Sequence, residues 1–289
     1  TWHFVSADDV RWLLELTAPR LKPLLKSRDK QLELTELIYS KCNGMLEKVL
    51  SNNSNLTREE LIREFENIQI QTNENRLSHI MLRAELDGIV CSGPIKNKKL
   101  TYALLADRVP AIKTITRDEA LATLADRYFK SHCPATLRDF VWWSGLTTTD
   151  ARKAIEIIQP NLISETISLE TYWISNTSTN DFIRKPSVHL LPAFDEFLIS
   201  YADRSAALAT VDNKKTISEN GIFRPVIVVN GQVVGLWKRN TIKELVKIET
   251  SHFQLHDAEV RIAIETESIR YGHFLDKKTE LLIQSFSQS

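Results

Sequence analysis

The sequence predicts an α+β fold: tandem winged helix-turn-helix units followed by a small β-rich C-terminal domain with one helix. Three observations carry that prediction. Two stretches repeat the order helix, helix, strand, turn, strand, which is the winged helix-turn-helix order. Beyond residue 185 the apolar spacing changes from helical to strand-like. Within that last region Asn230-Gly231 marks a hairpin, because a type I′ turn needs positive φ at both residues and β-branched residues flank the pair.

Composition narrows the chemistry. The chain has 289 residues, enough for two or three domains. Its 37 Lys and Arg balance 37 Asp and Glu, so any nucleic-acid binding must rest on locally clustered charge. Cys42, Cys91 and Cys133 are odd in number and lack CxxC spacing, which predicts reduced thiols in a cytoplasmic protein and no metal framework. His132 and Cys133 are adjacent, a poor geometry for one zinc ion. No Gly-rich phosphate loop, metal-ligand cluster or nucleophile elbow occurs, so no cofactor is implied. No apolar run reaches the length of a membrane span, and no signal peptide is read at the start.

The elements follow in order. Trp2 to Val5 reads as a strand, and a strand at the first residue needs a partner that the nearby sequence does not supply. The expectation is pairing with a unit that precedes residue 1. Ser6 to Leu16 reads as a helix, capped by Ser6, with Asp8 and Asp9 complementing the dipole. Arg20, Lys22, Lys26, Arg28 and Lys30 then form a basic patch, either a solvated face or a nucleic-acid contact. Leu32 to Leu50 is helical, and Thr57-Arg58-Glu59-Glu60 is a capping box that starts a helix at Arg58.

A further helix spans about Asn73 to Asp87, with Leu77, Ile80, Met81 and Ala84 on one face. Arg76, His79 and Arg83 share another face, and Gly88 ends the helix. Strands at Ile89–Ser92 and Leu100–Leu105 enclose a basic turn, Gly93 to Lys99. In a winged helix this second helix faces DNA, so Arg76 and Arg83 are expected to be exposed. Lys96, Lys98 and Lys99 lie in the wing, where phosphate contacts are made. Packing or protein contact is the alternative use of such a unit.

The second unit begins with a helix from Thr116 to Ser131. Thr136 caps Leu137 to Trp143, Gly145 ends that helix, and Thr147 or Thr148 caps the next. In it Ala151, Ala154, Ile155 and Ile158 form the buried stripe, while Arg152, Lys153 and Glu156 make a mixed set on the face expected to meet DNA, with Arg152 and Lys153 as candidate contacts. Strands near Ile163–Ile167 and Tyr172–Ser175 form its wing. Trp142 and Trp143 are read as core rather than as base-stacking groups.

Asn176 to Lys185 is a polar linker. Beyond it, strands are expected around Thr241–Ile248, Gln254-Leu255 and Thr279–Gln284, with a helix from Asp257 to about Phe274, as a sheet or partial barrel. Asp195 and Arg204 stand out in an apolar setting and are expected to be substantially buried and bonded, to each other or to backbone. They are read either as a structural pair or as functional charges. Asp195 and Glu196, as neighbours in a strand, point to opposite faces and cannot act together on one bond.

LLPAFDEFLISYADRSA with RPVIVVNGQVVGLWKR resembles the C-terminal part of the bacterial AlkZ/YcaQ-like winged-helix DNA glycosylases. RLSHIMLRAELDGIVCSG with TYALLADRVP, and ALATLADRYFKSHCPATLRDFVWWSGLTTTDARKAIE, resemble two of that family's winged helices in the right order. TWHFV resembles the last strand of its first winged helix. The resemblance implies the divisions 1–5 (end of a truncated first winged helix), 6–110, 111–183 (two winged helix units) and 184–289 (β-rich domain). It implies double-stranded DNA as partner and hydrolysis of the N-glycosidic bond of alkylated purines. It also implies a catalytic Gln-x-Gln or Gln-x-Asp, which is expected before residue 1. Gln69-Ile70-Gln71 lies at the wrong place in the family order and is not assigned that role. Two alternatives remain open: a non-catalytic DNA-binding protein such as a transcription regulator, and a protein-interaction module.

Overall fold

Two prolines lie inside the first helix, α1 (Val10–Gln31), which continues well past Leu16 through Pro19 and Pro23. Each proline removes an N–H and crowds the carbonyl four residues back, which is why the sequence pattern ends the helix early. Ser6 does not cap it; the Ser6 carbonyl accepts from the Asp9 and Val10 N–H groups at 3.0 and 3.2 Å, and Val10 is the first helical residue. This computed structural model describes residues 4–52, 54–109, 115–177 and 186–284. Thr1 to His3 and residues 178–185 lie outside the described residues, so the expected opening strand and most of the expected linker do too. Phe4 and Val5 are exposed and carry no strand.

Two compact units make up the chain: Trp2–Tyr128 with Ser144–Pro160, and Phe129–Trp143 with Asn161–Ser289 and Thr1. In the first, α1 is followed by α2 (Glu36–Val49), β1 (Leu56–Thr57), α3 (Arg58–Asn67), α4 (Arg76–Leu86), β2 (Val90–Ser92), β3 (Thr101–Leu104) and the single turn α5 (Leu105–Arg108). The strands form an antiparallel sheet in the order β1-β3-β2. The capping box at α3 is present in both directions: the Thr57 N–H donates to Glu60 Oε2 at 2.7 Å and the Glu60 N–H to Thr57 Oγ1 at 3.3 Å. Gly88, at φ 72°, ends α4 as the spacing predicts, with the Ile89 N–H on the Ala84 carbonyl at 2.9 Å. Leu77, Ile80, Met81 and Ala84 are buried in a core shared with Tyr39, Leu46, Leu61 and Phe65.

The same order recurs in α6 (Arg117–His132), β4 (Ala135–Thr136), α7 (Leu137–Ser144), α8 (Thr148–Ile158), β5 (Leu162–Ile167) and β6 (Glu170–Ser175). Its sheet is again ordered first, last, middle: β4-β6-β5. Thr147 rather than Thr148 caps α8, accepting the Asp150 N–H at 3.0 Å. Ala151, Ala154, Ile155 and Ile158 are buried.

The β-rich region is a five-stranded sheet, β11-β10-β9-β8-β7. It comprises β7 (Val188–Leu191), β8 (Val226–Val229), β9 (Gln232–Ile242), β10 (Leu245–His252) and β11 (Lys278–Gln284). Between β7 and β8 lie the helical turns α9 (Glu196–Ile199) and α10 (Asn213–Thr216), and α11 (Ala258–Phe274) links β10 to a parallel β11. All four residues of β8 are buried, because α11 covers one face and the 198–223 segment the other. The Asn230-Gly231 turn has φ values of 49° and 80°, as a type I′ hairpin requires.

Three expectations are corrected in this region. Thr241 to Ile248 is not one strand: Lys243, at φ 49°, turns the chain between β9 and β10. Gln254-Leu255 is not a strand. Asp195 and Glu196 do not lie in a strand: Phe194 takes φ 58°, and Asp195 caps α9 by accepting the Phe197 N–H at 2.9 Å.

Candidate nucleic-acid interface

The β2–β3 hairpin of the first unit, the segment expected to form a wing, is closed by a two-residue turn. Lys96 and Lys99 exchange backbone hydrogen bonds at 3.0 and 2.9 Å, and Asn97 and Lys98 between them take φ values of 50° and 64°. This is type I′ geometry with a lysine where glycine is favoured. At the wing base Gly93 meets a real constraint, since a Cβ there would lie 2.3 Å from Thr101 Oγ1. The tip projects Lys98 into solvent, and it forms no ion pair among the described residues. Lys96 and Lys99 are tethered to the start of α3, by Glu60 at 2.8 Å and Glu59 at 3.1 Å. Hydrogen bonds from Lys96 and from Thr57 hold the Glu60 carboxyl down at about 2. All three lysines remain exposed, so these pairs are exchangeable surface contacts.

The three basic residues on α4 are placed differently. The Arg83 side chain is only 14% exposed; it pairs with Glu36 and Asp87 and stacks 4.8 Å over the Tyr39 ring. Its hydrogen bonds to Glu36 raise the guanidinium pKa above its ordinary value. Arg76 donates to the Leu32 and Gln71 carbonyls. His79 Nδ1 lies 3.4 Å from Asp29 Oδ1, a carboxylate that also accepts from the Tyr39 hydroxyl at 2.8 Å. The exposure expected of Arg76 and Arg83 is therefore corrected. Spacing placed them on one face, but that face meets neighbouring parts of the unit. Gln69-Ile70-Gln71 serves the end of α3: Gln69 is left-handed at φ 60° and the Ile70 N–H bonds the Phe65 carbonyl at 2.9 Å.

On α8, Arg152 and Lys153 are both exposed, and Lys153 pairs with Asp118 at 2.6 Å. The β5–β6 hairpin carries no lysine; its turn residues Ser168 and Leu169 have φ of 50° and 71°, and Leu169 is fully in solvent.

In the second unit Asp195 and Arg204 are half-buried and each is bonded to backbone. Arg204 Nε donates to the Leu198 carbonyl at 2.8 Å, and its guanidinium lies 5.5 Å from the Trp142 ring centroid and 5.1 Å from that of Phe223. Desolvation lowers its pKa. With Asp203, Ser205, Lys214 and Ser218 it lines a cleft of about 610 Å³. The residue that organises this segment was missed: Asp139, 3% exposed, accepts Thr136 N–H and hydroxyl with one oxygen and the Ala202 and Asp203 N–H groups with the other. Its signal was the Thr136-x-x-Asp139 spacing, a capping box with a shorter acid. Trp142 was expected in the core and is 58% exposed, which corrects that reading.

A family model described as DNA glycosylase AlkZ-like matches residues 1–274. The chain belongs to this family of DNA glycosylases. Among curated family relatives, an interstrand DNA cross-link repair glycosylase of Streptomyces sahachiroi is 26% identical over 220 residues, which is 71% of this chain. The chain spans 57% of that relative's length. Among solved structures, the Streptomyces sahachiroi DNA glycosylase AlkZ superposes with a TM-score of 0.78 at 19% identity, covering 98% of this chain and 78% of its own. That likeness establishes the shared mixed α and β fold. Among the described residues no helix is long and apolar enough to cross a membrane, and no group of three or more His, Cys, Asp or Glu could hold a metal ion.

Proposed function

We propose that this chain is a DNA-repair glycosylase that binds duplex DNA and hydrolyses the N-glycosidic bond of alkylated purines, in the bacterial cytoplasm. The family match over residues 1–274 carries the reading. In this account the two repeats are winged helices, with units at 6–110 and 111–183 ahead of a β-rich domain at 184–289. The recurrence of one element order and one sheet order supports it. Lys96, Lys98 and Lys99 on the first wing contact phosphates, as do Arg152 and Lys153 on α8. Arg76, His79 and Arg83 hold the scaffold behind them, and Asp195 and Arg204 shape the 195–204 segment.

The chemistry suits such a scaffold. An N7-alkylated purine is already a cationic leaving group, so a positioned water and stabilised charge suffice without a strong acid. The Gln-x-Gln that the resemblance implies for orienting that water is assigned to no residue of this chain. The test is incubation of the protein with methylated and with cross-linked duplex, reading released base by mass spectrometry and abasic sites by alkaline cleavage. Release above the spontaneous rate is expected. Tight duplex binding without release would instead select the non-catalytic DNA-binding reading.

A further inference from the structure

Trp142 sits on α7 with 58% of its surface exposed, yet its ring is held in place. The indole N–H donates to the Ile199 carbonyl at 2.8 Å. The Arg204 guanidinium lies 5.5 Å from the Trp142 ring centroid and 5.1 Å from that of Phe223. Arg204 is itself anchored to the Leu198 carbonyl, and the loop that carries it is tied to Asp139 through the Ala202 and Asp203 N–H groups. Phe223 in turn lies 6.1 Å from Phe194, which is 38% exposed. Four planar groups thus follow one another, with a partly exposed aromatic ring at each end.

A locked indole left in water gives up rotamer entropy without the full return of burial. A flat ligand against the open part of the ring restores that return. Arg138 is also exposed and precedes Trp142 by one helical turn, so the two side chains share a face of α7. Arg138 and Arg204 both act on the Asp203 carboxylate, which is held low mainly by the Ser205 N–H, and Arg204 also faces the Asp139 carboxylate. An aromatic face beside an exposed guanidinium matches the two parts of one nucleotide, a base and its phosphate.

We propose that Trp142 is a stacking site for a single unstacked nucleobase of DNA, with Arg138 on the adjoining phosphate. The site rests on the DNA-binding reading above, and its residues belong to the second compact unit rather than to the first. Stacking of this kind is tolerant of base identity, since every base has a π face.

The experiment measures binding of the full chain, by fluorescence anisotropy, to a fully paired duplex and to the same duplex with a single-nucleotide bulge. The unaltered protein is expected to prefer the bulged duplex. Trp142→Leu lowers that preference about tenfold, while Trp142→Phe keeps most of it. Equal binding of paired duplex by all three proteins shows that the variants are folded. Arg138→Gln makes the salt dependence of bulged-duplex binding shallower, by about 1 in log–log slope. Paired-duplex binding with no bulge preference, or a preference that survives Trp142→Leu, overturns the stacking site alone. A chain that binds neither duplex overturns the DNA-binding reading together with it.

Discussion

Arg83 closes a two-pronged ion pair on Glu36, Nη1 to Oε1 at 3.1 Å and Nη2 to Oε2 at 2.7 Å, while its Nε bonds Asp87 at 3.0 Å. Joining α2 to the end of α4, the side chain acts as a brace rather than a probe. Arg83→Ala is expected to lower stability by about 1–3 kcal/mol, the range for losing charge-assisted hydrogen bonds. Urea unfolding measures this. The salt dependence of duplex binding by the folded variant should be unchanged, and a shallower slope would mean that Arg83 reaches phosphate.

Lys98 occupies a left-handed position that glycine fills without steric cost. Lys98→Gly should make the protein about 0.5–1 kcal/mol more stable and yet weaken DNA binding. A joint loss of stability and binding would show that the lysine serves the turn itself.

Asp139 satisfies donors from both Thr136 and the 202–203 backbone in a nearly water-free setting. Asp139→Ala leaves several buried donors without acceptors, each costing about 1–3 kcal/mol, so unfolding should occur at markedly lower urea. Asp139→Asn retains one acceptor oxygen and should lose less. A loss under about 1 kcal/mol in the alanine variant would remove Asp139 as the anchor of that loop.

His252 and His256 lie with ring centroids 5.1 Å apart, and burial depresses both pKa values below 6.5. His252 also feels the charge of His256, whereas Asp257 works the other way on His256. The unfolded chain therefore binds more protons than the folded one just below pH 6.5. The contribution is fully present above that value and falls away as pH drops towards the depressed folded values. Glu85 acts in the opposite sense, because burial raises its pKa. Replacing both histidines by Gln should flatten the decline in unfolding midpoint between pH 7 and 5. An unchanged decline would place its origin elsewhere.

Local signals were legible in the sequence, and side-chain destinations were not. The Thr57 box, the Gly88 stop and the Asn230-Gly231 turn depend on neighbours in the chain, and each is where spacing puts it. The turn at Lys243-Glu244 carries no Gly, Asn or Pro, so only strand pairing reveals it. Pro19 and Pro23 argue against a helix locally, and the helix persists across them. Arg76 and Arg83 share a face by periodicity, but no period says that Leu32 and Glu36 lie opposite it. Hydrophobicity assigns Trp142 to the core; a backbone carbonyl and a guanidinium hold it at the surface instead.

Counterion release tests the proposed grip of the β2–β3 hairpin on duplex DNA. Duplex binding by the intact protein and by the Lys96→Ala, Lys98→Ala, Lys99→Ala triple variant is measured across a salt series. Each phosphate contact contributes about 0.9 to the log–log slope on B-form duplex. Lys98 loses no protein partner on binding, whereas Lys96 and Lys99 must exchange Glu60 and Glu59 for phosphate. Weaker binding is expected, roughly uniform across sequences, with a slope shallower by about 1 for each lost contact. An unchanged slope in the folded triple variant would contradict it and leave the first wing as scaffold.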